Sequence, residues 1–380
     1  TSPRAYASAA RSASVPMRST PAASIAHVRQ LCYLGLSPEL AMPAILTALH
    51  DLVASDSNGF FWVDENYDIT NICAEKLLPP DVMRRYFEEF YDAPETSFKK
   101  RLREFAAQRD IIQIMTQTEQ FYRSDYYHKI WRHFDAHHVM YAVVRRGSRC
   151  YGQLSLYRSA SDKPFSERDR RELAKVVGYM TDMFTTPVRA TAGDIPLDRY
   201  YDSGYSGMML TDDKGEVTLA SPQAQRLFFL ATHPKISRKS LVASFREDHP
   251  KVLEQIAAMV RDTPPGATQP PPQLQLRNCW GEFLLNGYAL QPREAGTSTG
   301  IGLLIEYREP MPIRLLNNMK RSSLSVRQTE VALRLAFGHS QPDIADQLNI
   351  KLGSVEYYKK EAYRKLDVHD RQALRDRLLS

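Results

Sequence analysis

The stretch from Leu324 to Leu366 leaves little freedom of fold. Its apolar residues fall at helical spacing in three short runs, each bounded by residues that start or stop helices. Ser325 with Gln328 makes a capping box ahead of the first run, which ends at Phe337–Gly338. Ser340 opens the second, with Pro342 tolerated in its first turn and Asp343 favourable beside the positive end of the helix dipole. A turn at Asn349–Lys351 leads into GSVEYYKKEAYRKL (353–366), and Asp370 is placed to cap a last helix carrying Leu374 and Leu378. Helices this short do not stand alone in water. Four of them joined by tight turns must pack on one another, as in a helix-turn-helix domain.

Within the third helix, a step of about 100° per residue puts Val355, Tyr358, Ala362 and Leu366 on one stripe that must face inward. Tyr357, Lys360 and Arg364 fall opposite, beside Gly353, and Glu356 and Glu361 flank them. From Lys320 onward there are twelve Lys/Arg against eight Asp/Glu, so a surplus of four out of the chain's +6 lies in this last part. A basic patch of that size suits an acidic partner.

The string LSVRQTEVALRLAFGHSQPDIADQLNIKLGSVEYYKKEAYRKLDVHDRQAL resembles the LuxR-type (GerE-like) helix-turn-helix domain through Leu324, Arg327, Glu330, Val331, Leu335, Gly338, Ser340, Ile344, Ala345, Leu348, Ile350, Val355, Lys365, Leu366, Val368 and Arg371. The resemblance implies a bacterial transcription regulator that binds double-stranded DNA, a palindromic operator, as a homodimer; RNA polymerase is a further candidate partner. It puts Glu356, Tyr357 and Lys360 where base edges are approached, and a glutamate there can accept from cytosine N4. Lys359, Arg364 and Lys365 are better placed for phosphates, which hold register without reading sequence. Ser340 and Ser354 complete the expected DNA-contacting set. Two positions depart from the family: Lys351 replaces the usual Ser or Thr cap, and Tyr358 the usual His.

Ahead of this domain the patterning is α+β. A helical run at 39–53 precedes GFFWVDENYDITNIC (59–73), two short strands around a polar turn. Helix-like segments PPDVMRRYFEEFY and SDYYHKIWRHF follow, the second with Ser124 as N-cap. A hairpin is expected around Arg146–Arg149, then a long helix opened by Ser166 and Asp169. After a Pro/Gly/Thr linker at 187–199 come two strands around Asp212–Gly215, a helix at PQAQRLFFLA, and strands PQLQLRN, EFLLNGYALQP and TGIGLLIEYREP, with an exposed loop at 263–272. Through YGQLSLYRSASDKPFSERDRREL the first part resembles a GAF domain, and through LTDDKGEVTLASPQAQRLF the second resembles a PAS domain. The expected fold class is multidomain α+β: a disordered tail (1–25), a GAF-like sensor (26–186), the linker, a PAS-like domain (200–308), a second linker (309–322) and the all-α helix-turn-helix domain (323–380).

The first part concentrates large aromatics. Trp62, Tyr86, Phe90, Phe121, Tyr126, Trp131 and Tyr141 are the candidate lining of a cavity for an apolar or aromatic effector. A protein partner, or an acyl-homoserine-lactone-like signal suggested by RRYFEEFYDAPE, is the alternative trigger. The βα alternation of a phospho-acceptor receiver is absent. His133 and His137 stand four apart without a carboxylate to complete a ligand set, so no metal or other cofactor is expected. No nucleophile elbow, HExxH, phosphate loop or dinucleotide fingerprint occurs, which speaks against an enzyme. Cys32, Cys73, Cys150 and Cys279 form no CxxC pair and read as reduced thiols. No apolar run nears the ~18 residues of a membrane span, so a cytoplasmic regulator is expected.

Overall fold

A computed structural model describes residues 20–76, 78–115, 117–186, 199–212, 215–236, 249–263, 270–290 and 300–379. Residues 1–19 of the expected tail, nearly all of the linker at 187–199 and most of the loop at 263–272 lie outside the described residues.

The first helix, α1 (Pro21–Cys32), begins inside the segment assigned to the tail, capped by Thr20, whose hydroxyl accepts from the Ala23 amide at 3.3 Å. Helix α2 (Pro38–Leu49) starts the same way, on Ser37. Thr-Pro and Ser-Pro put a capping oxygen and a preset φ side by side, which is a strong start signal. Strands β1 (Ser57–Val63) and β2 (Ile69–Ala74) follow, then α3 (Pro80–Arg85), a π turn over Tyr86–Phe90, α4 (Phe98–Ala106), β3 (Ile112–Met115), α5 (Glu119–Tyr122), α6 (Asp125–Lys129), β4 (His138–Arg146), β5 (Arg149–Arg158) and α7 (Glu167–Thr185). The five strands form one antiparallel sheet in the order β2-β1-β5-β4-β3. Helices α2 and α7 cover one face, with α1 packed against both, and Phe184 of α7 stacks on Phe60 at 5.5 Å. Helices α3, α4 and α6 bring side chains to the other face, which carries Phe61, Gln153 and Tyr141.

The second sheet repeats that order. Strands β6 (Tyr200–Asp212), β7 (Val217–Ala220), β8 (Gln273–Asn278), β9 (Gly281–Leu290) and β10 (Gly300–Pro310) pair antiparallel as β7-β6-β10-β9-β8. Helix α8 (Pro222–Thr232) lies on one face, so close at Gly207 that a Cβ there would fall 2.2 Å from the Ala224 amide nitrogen. Helix α9 (His249–Arg261) crosses the same face at Gly287, where a Cβ would meet Val260 at 2.6 Å. The domains meet where Trp62 packs edge-on against Trp280 at 5.9 Å and the Ile236 amide donates to Asn71 Oδ1 at 2.8 Å.

The expected linker at 309–322 is a correction. Met311–Lys320 forms helix α10, with Met311, Ile313, Leu315, Leu316 and Met319 buried. Its spacing was legible: apolar residues three and four apart, with Pro312 in the first turn. Helices α11 (Val326–Ala336), α12 (Gln341–Leu348), α13 (Leu352–Leu366) and α14 (Arg371–Leu379) complete the chain. Asn318 of α10 donates to the Leu378 carbonyl of α14 at 2.7 Å. The four cysteines are free thiols, and no described helix is long and apolar enough to cross a membrane.

Glu309, at the end of β10, has a nearly buried side chain held by Asn317 Nδ2 at 2.9 Å, with Arg314 at 4.0 Å. Burial pushes its carboxyl up to about 7, against the opposing pull of Arg314 and Asn317. The folded protein therefore holds this proton more tightly than the unfolded chain. The stability it contributes is complete below the ordinary carboxyl range and is lost as pH rises toward 7, about 3 kcal/mol in all. Glu309→Gln should melt above the native protein at pH 8, with the difference vanishing by pH 4, in thermal unfolding at both pH values.

Candidate nucleic-acid interface and sensor cavity

Helices α11, α12 and α14 start on the residues that the sequence marks. The Gln328 amide donates to Ser325 Oγ at 3.3 Å, and Gln328 Oε1 accepts from the Ser325 amide at 2.9 Å. Gly338, at φ 90°, takes the chain out of α11. Ser340 and Asp343 form the reciprocal box on α12, and hydrogen bonds from Ser340 hold the Asp343 carboxyl below its usual range. Asn349 and Asp367, both left-handed, close α12 and α13. The Ala373 amide donates to Asp370 Oδ1 at 2.8 Å and starts α14.

Helix α13 presents two faces. Val355, Ala362 and Leu366 are buried and Tyr358 half-buried, as its stripe requires; Tyr363 is buried beside them. Glu356, Tyr357, Lys360 and Arg364 are exposed, Tyr357 to 61%. Ser354 and Lys359 are half-buried, and the Lys359 ammonium lies 5.6 Å from the Tyr363 ring centre. Arg364 pairs with Glu361 at 2.9 Å, one turn away. Ser340 is exposed at the start of α12, with its hydroxyl engaged by Asp343.

Lys365 departs from the rest of the expected set. Its ammonium donates to the Ser323 carbonyl and to Gln328 Oε1, both at 2.9 Å, and so pins the end of α13 to the start of α11. Three residues beyond Ala362, it lies at the border of the buried stripe, where a long side chain folds back over the neighbouring helix.

Glu330 is the buried acid of the domain. Its side chain is 3% exposed and meets Arg327 at 3.0 Å and Arg29 of α1. Arg334 donates to its carbonyl at 3.0 Å.

The first sheet domain holds a partly open cavity of about 60 Å³ on the face away from α1 and α7. Of the seven candidate residues, Tyr86, Tyr126, Trp131 and Tyr141 line it. Trp62, Phe90 and Phe121 do not. Successive residues of a strand point to opposite faces, so Phe61 enters the cavity and Trp62 turns toward Trp280. Phe90 packs on Tyr126 at 5.1 Å and Phe121 on Trp131 at 5.6 Å, in a second layer of rings. A search for aromatics misses Arg101 and Gln153, which also line the cavity, as does Tyr157 of β5. Arg101 was detectable: in α4 it sits three residues after Phe98 and four before Phe105, on the buried stripe of an otherwise basic helix. Burial pushes the phenols of Tyr86, Tyr126 and Tyr141 upward, that of Tyr141 to about 12. No His/Cys/Asp/Glu group able to hold a metal occurs among the described residues.

Lys351 precedes α13 without a capping hydrogen bond. Lys351→Ser should stabilise the domain by about 1 kcal/mol, and slower amide hydrogen exchange at Gly353 and Ser354 is the measurement that checks it.

The family model for bacterial regulatory proteins of the luxR family matches residues 322–377. No curated protein matches the chain. Among solved structures it is similar to the GAF domain of a cyanobacteriochrome, with 13% identity, a TM-score of 0.29 and 38% of this chain against 88% of that one. It is also similar to a bacteriophytochrome from the photosynthetic bacterium R. palustris, with 10% identity, a TM-score of 0.32 and 79% of this chain against 64% of that one. The sensor region of a sensor histidine kinase aligns at 13% identity and a TM-score of 0.18, over 70% of this chain and 90% of that one. Behind two antiparallel-sheet domains, residues 322–377 are a helix-turn-helix domain of the luxR family of bacterial regulatory proteins.

Proposed function

We propose that the protein is a one-component transcription regulator that binds a palindromic DNA operator as a dimer, gated by an apolar or aromatic small molecule in the cavity of the first sheet domain. The observation that carries the DNA reading is the outer face of α13, where Glu356, Tyr357 and Lys360 are exposed together and free of ion pairs among the described residues. In the major groove these three read base edges, Glu356 accepting from cytosine N4. Lys359 and Arg364 take phosphates, with Ser340 and Ser354 as hydroxyl donors. Two half-sites lie about one helical turn apart, on the order of 10 bp. RNA polymerase is the further partner of a regulator acting at a promoter.

The second sheet supports the dimer. Its face opposite α8 and α9 carries Met208 (59% exposed), Val217 (46%), Leu219 (66%), Tyr288 (43%) and Leu290 (40%). Contiguous exposed apolar side chains of this kind mark interaction surfaces. The same face, together with the small volume of the cavity, favours a second reading in which a protein partner is the trigger.

Lys360→Ala should weaken operator binding roughly tenfold, and Glu356→Ala should change base preference at one position of each half-site, both measured by titration against an operator-variant series. Equal losses on every variant for Glu356→Ala remove it from the base-reading set. Leu219→Glu, at an exposed site where folding costs little, should convert the dimer to a monomer in sedimentation; an unchanged dimer places the interface elsewhere.

A further inference from the structure

Arg101 has no acid. It projects from α4 into the cavity of the first sheet domain, where its guanidinium lies 5.0 Å from the Tyr141 ring centre and 5.8 Å from that of Phe98. Its Nε is shut off from solvent without a hydrogen-bond partner, and neither Asp nor Glu lines the cavity. Among the described residues no ion pair reaches it, whereas the buried carboxylate of Glu330 has two arginines. A buried charge is normally paired, because desolvation outweighs what ring faces return. A chain that keeps a guanidinium here leaves its counter-ion to come from outside.

We infer that the effector is an anion: an apolar or aromatic carboxylic acid whose carboxylate seats on Arg101 among the hydroxyls of Tyr86, Tyr126 and Tyr141. This rests on the reading of the cavity as the small-molecule site. Those phenols keep their protons at neutral pH, so they donate to an anion and do not repel it. The volume of about 60 Å³ is the room of about two waters, which accepts a carboxylate head. A ring attached to that head pushes outward against α6, a helix of only five residues whose Tyr126 lines the cavity. A neutral ring would leave the guanidinium bare, and sites built around a polar partner reject analogues that lack it.

The test uses the full-length protein with three probes: benzoate, benzyl alcohol as the same ring without charge, and acetate as the charge without the ring. Benzoate should raise the melting temperature and appear as bound mass in native mass spectrometry, at least about tenfold more tightly than benzyl alcohol. Arg101→Met should abolish that binding yet melt no lower than the native protein without ligand, since it removes an unpaired buried charge. A lower melting temperature, with benzoate still bound, would make Arg101 a structural residue and overturn the inference. Benzyl alcohol binding as tightly as benzoate, unaffected by Arg101→Met, overturns it too, while leaving the cavity a small-molecule site. Acetate binding that needs Arg101 supports it with a smaller acid. No response to any of the three overturns both readings.

Discussion

The carboxylate of Glu330 is the point on which the arrangement of this molecule turns. An acid taken out of water must be matched, and leaving one buried without a partner costs about 3–5 kcal/mol. Glu330 finds one arginine in its own helix, Arg327, and the other in α1 of the first sheet domain, Arg29. One of the two partners of the helix-turn-helix domain's buried acid thus comes from the first domain. Around that pair the contact is loose, for a cleft of about 570 Å³ opens between Tyr33 and Tyr179 on one side and Arg334 and Phe337 on the other. Helix α10 supplies a second tether: Lys320 pairs with Asp51, and Asn318 holds the end of α14. Neither tether covers the outer face of α13.

What could be read in the chain, and what could not, follows from how local each signal is. Helix starts were legible because a hydroxyl, a proline or an acid at fixed offsets acts within one turn, and Ser166, Ser325 and Ser340 all close the boxes their neighbours imply. Strand order was not legible, since pairing joins residues such as Ser57 and Tyr157 that lie a hundred positions apart. Trp62 shows the finer limit. Its aromatic character suited a cavity wall, but the parity of β1 sends it to the other side, and parity matters only once the covering helices are known. Arg101 and Lys365 fail in the opposite sense. Both look like solvated charges, yet Arg101 points into the cavity and the exposed Lys365 folds back onto the start of α11.

The two sheets share a strand order and differ in how much of it they hide. In the first sheet β1, β4 and β5 are buried almost throughout, because helices cover both faces. In the second, β7 is exposed for most of its length and β8 alternates exposed and half-buried residues, because α8 and α9 cover one face only. One topology therefore yields a lined pocket in one sheet domain and an open wall in the other. A pocket suits a molecule small enough to be surrounded. A wall with Met208 and Leu219 on it suits something as broad as another protein.

The contact between Trp62 and Trp280 has an optical meaning. They are two of the chain's three tryptophans, with ring planes inclined at 72° across the boundary between the sheet domains. Indoles this close share excitation, so their circular dichroism and emission depend on their mutual distance and tilt. The third, Trp131, stands in the wall of the cavity. The unlabelled protein thus carries its own spectroscopic gauge, with one chromophore at the cavity and a coupled pair at the domain boundary, and light absorbed near the red edge of the protein spectrum reports on both at once.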